Sequence, residues 1–259
     1  DIWFEAGQVA NVVPGEAFAR VRMDAGLVRA AVEAYTGETG FMAEVTEDGE
    51  ICEIKLIGEF AHASMPEMGK NAIQGLICLL SRLPFKGKDR EVLESLRDSF
   101  GMDYHGQGIG LDKTDESGRL TLNMGIIRWN ADGLLLTFDL RCPTSMKKDE
   151  IVAGLDCAMK KIGAELVNVE FKEGYSLPDD CEIVSKLLSV YEKRTGKRLP
   201  PKKIGGGTYA RAIPNAVSFG PEYEGMESAA HMANEHMLIE DLMFNTKINA
   251  DAIVALAGE

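Results

Sequence analysis

The chain has 259 residues, 45% of them hydrophobic, which at roughly 150 residues per domain favours two modest cores over one. Its 41 acidic residues outnumber 28 basic ones for a formal net charge of -13, which argues against a nucleic-acid partner or an anionic membrane surface, because neutralising phosphates takes clustered Lys and Arg. Cys52, Cys78, Cys142, Cys157 and Cys181 stand singly without C-x-x-C spacing and read as reduced thiols of a cytoplasmic protein; no run approaches the roughly 18 apolar residues of a membrane span.

The sequence opens on "DIWFEAG", a candidate strand, without an initiator Met, which admits processing or excision from a longer protein. A turn-rich "NVVPGE" leads to a second strand, "AFARVRM". Asp24 is a candidate N-cap for a helix through "AGLVRAAVEAYTG", closed by Gly37. In "FMAEVTEDGEICEIKLIGEF" the Asp48-Gly49 pair between two β-rich runs predicts a hairpin. "AIQGLICLLSRL" is apolar at helical spacing and stopped by Pro84. Residues 85–119 read as a polar insertion or long connection with a short helix at "REVLESLRDSFG". "RLTLNMGIIRWNADGLLLTFDLRCP" is a second hairpin, turned at Asp132-Gly133, followed by a helix in "KKDEIVAGLDCAMKKIG" and a strand in "AELVNVEFKEG".

This order suggests two ferredoxin-like halves sharing one sheet. A composition shift at "GYSLPDD" places a boundary, giving domains 1–176 and 177–259. The tail reads as a helix over 181–196, strands near "KKIGGG" and "NAVSFGP", and a closing helix. At about 80 residues it is a thin piece of an α/β layer that should need partner strands from elsewhere. The predicted class is therefore α+β: a double ferredoxin-like domain followed by a partial α/β segment.

Chemistry could sit at several places. "GGGTYAR" (205–211) is either a plain tight turn or a loop whose N–H groups approach an anion; it matches neither nucleotide-binding glycine pattern. His62, alone in "EFAHASMPEMGKNA", is by itself more often structural or exposed. Arg141 ends a strand, where it could pair with a surface carboxylate or clamp a substrate carboxylate. Asn11 in "ANVVP" is by default a turn residue, and His105 reads as exposed. His231 and His236, five residues apart, fit no H-E-x-x-H pattern and assemble no zinc site by local spacing.

Taken in order, "ANVVP", "GEFAHASMPEMGKNAI", "LTFDLRCP...KKDEI" and "GGGTYARAIPNAVSFGPEYEGMESAAHMANEH" resemble the PepV-like dipeptidase branch of the dinuclear zinc aminoacylase/carboxypeptidase family. The resemblance covers nearly the whole chain. It implies that residues 1–176 are a lid domain and residues 177–259 the C-terminal segment of a zinc-peptidase catalytic domain. By position, it implies that His231 is a zinc ligand and that His62 polarises the scissile carbonyl and stabilises its oxyanion. Arg141 would hold the substrate C-terminal carboxylate, with Gly206, Gly207 and Thr208 near the same group and Asn11 touching the substrate. His236 falls at a variable position and is not assigned to metal.

The family's H-x-D motif, bridging Asp, Glu-Glu pair and further acidic ligand all precede the lid and are not in this sequence. One imidazole cannot hold two Zn²⁺ ions, and no glutamate stands in position to activate water. The expectation is a cytoplasmic zinc dipeptidase acting on dipeptides or short peptides, with two zinc ions in the complete protein and this chain inactive until the missing N-terminal catalytic segment is supplied. The alternatives are a non-catalytic module that binds peptides or pairs with itself as a homodimer, or a subunit that completes its site with another chain.

Overall fold

The computed structural model describes residues 2–204, 207–220, 222–226 and 234–258. The class is α+β, and the chain divides into two compact units, Asp1–Glu173 and Gly174–Glu259.

The first unit is built on strands β1 (Ile2–Ala6), β3 (Glu16–Arg22), β4 (Met42–Asp48), β5 (Ile51–Ile57), β9 (Thr121–Asn130) and β10 (Gly133–Arg141). They form one antiparallel sheet in the order β10-β9-β1-β3-β5-β4, and the two-residue strands β2 (Val12–Val13) and β6 (Ala61–His62) pair with each other, as do β7 (Thr114–Asp115) and β8 (Gly118–Arg119). Alternation decides which way each strand faces. Phe4, Ala17, Ala19, Val21, Cys52, Ile54 and Leu56 are all buried, while their neighbours Trp3, Arg20, Glu53 and Lys55 lie on the other face. On that outer face Arg20 stacks over Trp3 and pairs with Glu53, its ladder partner, at 3.0 Å. Both predicted hairpins form, β4–β5 with Gly49 at φ 62° and β9–β10 with Gly133 at φ 147°.

Helices α1 (Ala25–Thr39), α2 (Ala72–Leu80), α3 (Gly87–Phe100) and α4 (Lys148–Ile162) complete the core. Helix α2 packs on β3, β5 and β9, and eight of its residues, Ala72, Ile73, Gln74, Gly75, Leu76, Ile77, Leu79 and Leu80, are buried. Helix α1 does not stop at Gly37. It runs to Thr39, and Gly40 takes the left-handed cap, its N–H donating to the Thr36 carbonyl. Tyr35, buried and stacked on Phe41 with ring centres 5.9 Å apart, ties down the last turn and outweighs the roughly 1 kcal/mol cost of an interior glycine.

Two further expectations change here. Residues 85–119 are no peripheral insertion: Phe85, Val92, Leu93, Leu96, Phe100 and Leu111 belong to the main core, and the Phe100 ring meets Phe138 at 4.8 Å. His105 is half-buried, with Nδ1 2.8 Å from the Leu120 carbonyl. The segment 164–174 is not a strand. Ala164, Leu166 and Phe171 pack on the core without forming a ladder, so the second half keeps its hairpin and helix but not the last predicted strand.

In the second unit α5 (Glu182–Thr195) pairs with α6 (Ile239–Ala257) around Leu187, Val190, Ile248 and Ala252. Arg194 joins Asp251 across the pair, and the Tyr223 hydroxyl bonds Asp241. The strands expected near "KKIGGG" and "NAVSFGP" are not found among the described residues, in keeping with the rule that a strand needs a lateral hydrogen-bonding partner. The closing helix begins at Ile239, three residues after His236. No helix among the described residues is long and apolar enough to cross a membrane.

Gly37 has no heavy atom within 4 Å of an added Cβ and sits in an ordinary helical conformation. Gly37→Ala should therefore stabilise the chain by about 0.5–1 kcal/mol in denaturant unfolding. Arg119 forks onto Asp112 at 2.7 and 2.6 Å and holds its carboxyl at about 2, below the usual 3.8. Because the folded value is the lower one, this support is present above about pH 4 and is lost as the pH falls through about 2. Asp112→Asn should flatten the acid limb of the stability curve in that window.

Candidate functional site

One end of the sheet carries the site, and its geometry starts from a short ribbon. Strand β2 (Val12–Val13) pairs antiparallel with β6 (Ala61–His62), so that Val12 lies opposite His62. The Ala63 N–H donates to the Asn11 carbonyl at 2.9 Å, which places Asn11 beside the histidine. Both side chains are exposed.

The ribbon is fastened to β9 through buried amides. Asn123 donates from Nδ2 to the carbonyls of Ala10 (2.8 Å) and Val12 (2.9 Å). Its Oδ1 accepts from Asn71 Nδ2 at 2.9 Å, and the same Asn71 nitrogen reaches the Met124 carbonyl at 3.0 Å. Asn71 Oδ1 caps α2 by accepting from the N–H groups of Ile73 and Gln74. Thr121 adds a bond from Oγ1 to the Ala63 carbonyl at 3.3 Å. Glycine makes the approach possible: a Cβ on Gly7 would lie 1.8 Å from the Gly125 carbonyl oxygen, and one on Gly125 would lie 2.4 Å from that of Ala10.

Arg141 ends β10 directly across the ladder from Thr121, and Asp139 lies across from Asn123. Opposed residues share a face, so Asp139 and Arg141 stand on the side of the hairpin from which Thr121 and Asn123 bond to the ribbon. Asp139 grips the guanidinium in a fork, Nε to Oδ1 at 2.6 Å and Nη2 to Oδ2 at 2.9 Å, with the carboxylate only 17% exposed. Asn11, His62 and Arg141, far apart in sequence, thus come to one end of the sheet. Burial pushes the Cys142 thiol up to about 11.

The sequence reading missed Asp139 and the Asn71–Asn123 pair. An acid two residues before an arginine on one strand is a readable signal for the first. The second has none, because its members are 52 residues apart and meet only in the fold.

The remaining candidates fall in the second unit. Gly207 and Thr208 are described, and the Ser218 hydroxyl donates to Thr208 Oγ1 at 2.8 Å. His231 and Gly206 lie outside the described residues. His236 places Nδ1 2.9 Å from the Asn234 carbonyl. Among the described residues no three His, Cys, Asp or Glu side chains converge to hold a metal ion, and His231, the implied ligand, is not one of them.

Comparison with known proteins gives this end of the sheet a context. Over its full length the chain is similar to dipeptidases. It is 31% identical over 259 residues to the Beta-Ala-Xaa dipeptidase of Lactobacillus delbrueckii subsp. lactis, covering 99% of this chain and 55% of that protein. It is 30% identical to a putative dipeptidase of Staphylococcus haemolyticus, covering 100% of this chain and 56% of that protein. A putative dipeptidase of Bacillus subtilis is 32% identical over 215 residues, 82% of this chain and 45% of that protein. The chain therefore spans about half the length of the curated relatives it matches. No protein-family model matches it.

Asn123→Ala should cost roughly 2–4 kcal/mol, because it strands two part-buried carbonyls and removes one of the two bonds of the buried Asn71 amide nitrogen. Hydrogen exchange should accelerate at Ala63, whose N–H closes the ribbon, more than at the β4–β5 hairpin.

Proposed function

We propose that the chain is the substrate-holding part of a longer, zinc-dependent dipeptidase of the PepV-like branch. The observation that carries this reading is the meeting of Asn11, His62 and Arg141 at one end of the sheet, each on a backbone fixed by hydrogen bonds. Arg141, forked by Asp139, binds the free C-terminal carboxylate of a dipeptide or short peptide. Its planar donors suit a carboxylate better than a lysine would. His62 donates a hydrogen bond to the scissile carbonyl and to the oxyanion that develops there. Asn11 holds the substrate backbone through its side-chain amide. Residues 1–176 act as the lid, and residues 177–259 belong to the catalytic domain. There Gly206, Gly207 and Thr208 would take part in substrate binding, and His231 would be a zinc ligand.

Two zinc ions in the full-length protein would supply an activated water, and the remaining ligands and general base would come from sequence beyond this chain. The 55–56% of the relatives' length that the chain covers leaves room for them. The chain alone should then bind short peptides without hydrolysing them, in the cytoplasm and with no nucleic-acid partner. The second reading is a non-catalytic module that binds peptides through the same Asn11, His62 and Arg141.

Elemental zinc analysis and a dipeptide hydrolysis assay, on the chain and on the full-length protein, separate these. Two zinc ions and turnover in the full-length protein alone support the proposal. Turnover by the isolated chain refutes the division of labour, and an inert full-length protein favours the binding module. In the full-length protein Arg141→Ala should lower kcat/KM for dipeptides at least about tenfold, which is about 1.4 kcal/mol. An unchanged kcat/KM would remove Arg141 from substrate binding.

A further inference from the structure

We infer that Ser64 is a positioning residue that fixes His62 as its Nε2–H tautomer, so that the imidazole offers a hydrogen-bond donor, and neither a base nor a metal ligand, on its outward side. Two contacts carry this. The Ser64 backbone N–H donates to His62 Nδ1 at 3.1 Å, and the Ser64 hydroxyl lies 2.7 Å from the same nitrogen. A backbone N–H can only donate, so the nitrogen it meets must carry a lone pair. The hydroxyl then also donates to Nδ1, and in the neutral ring the single proton sits on Nε2.

The turn that makes this possible is held on both sides. The Met65 N–H donates to the His62 carbonyl at 3.0 Å, and the Ala63 peptide is bonded by Asn11 and Thr121. The Ser64 backbone N–H therefore cannot swing away from the ring without breaking the ribbon. The other described histidines provide a contrast within the same chain. His105 and His236 turn Nδ1 towards carbonyl oxygens, of Leu120 at 2.8 Å and Asn234 at 2.9 Å. A carbonyl can only accept, so those rings carry their proton on Nδ1. One chain thus holds histidines of opposite tautomer, and the one at the candidate site is the outward donor.

The tautomer stands on the hydrogen bonds alone; its catalytic meaning rests on the function proposed above. Long-range ¹H–¹⁵N spectra of the intact chain at about pH 8, above the imidazole range, read it directly. The His62 signals are those lost in His62→Gln. They should show an unprotonated Nδ1 and a protonated Nε2, the reverse of His105. A protonated Nδ1 on His62 would overturn the inference.

In the full-length protein Ser64→Ala should lower kcat several-fold with little change in KM, and Ser64→Thr, which keeps both donors, should restore it. If Ser64→Ala turns over normally while His62→Ala is crippled, the role of Ser64 is refuted and that of His62 stands. If His62→Ala is itself as active as the parent, the proposed function of His62 falls, and the spectra still decide the tautomer.

Discussion

Asn123 fastens three parts of the chain at once, and the candidate site depends on it. Its amide nitrogen holds the carbonyls of Ala10 and Val12, and its amide oxygen holds Asn71, which in turn caps α2. Both asparagines are fully buried, where an unmade hydrogen bond costs far more than a made one contributes. The ribbon formed by β2 and β6 has only two residues in each strand, too little to persist on its own pairing. It exists because the amide network pins one side of it to β9 and to the start of α2. Sheet, central helix and ribbon are therefore a single construction.

The candidate side chains stand at the edge of this network. Asn11 and His62 extend from the ribbon into solvent, while their backbones are held by buried bonds. Arg141 is oriented by a forked carboxylate on its own strand. The two ribbon side chains thus stay in solvent, while the half-buried Arg141 and Asp139 offset each other's charge.

The second unit shows a different balance. Four buried side chains, Leu187, Val190, Ile248 and Ala252, are the core of two helices that total 33 residues. A core of that size rarely stabilises a domain by more than a few kcal/mol. Leu242, Met243, Ile253 and Val254 of α6 are exposed by half or more. The Arg194–Asp251 and Tyr223–Asp241 pairs supply specific geometry in place of buried area.

Local rules were enough for much of this chain. Asp-Gly pairs located both hairpins, Asp24 capped α1 as its type suggests, and periodicity placed α2, α4, α5 and α6 within a few residues. They failed where a distant partner decides: Gly37 was passed because Tyr35 and Phe41 hold the helix end, and segments 164–174 and 202–207 were strand-like in sequence but formed no ladder among the described residues. The site divides the same way. Asn11, His62 and Arg141 could be singled out from their stretches of sequence, because residue type and motif are local properties. That they stand together, that Asp139 aims the arginine, that Ser64 sets the histidine's proton and that Asn71 and Asn123 hold the ribbon came only from the tertiary structure. Those relations are hydrogen bonds, and their geometry depends on how distant segments pack.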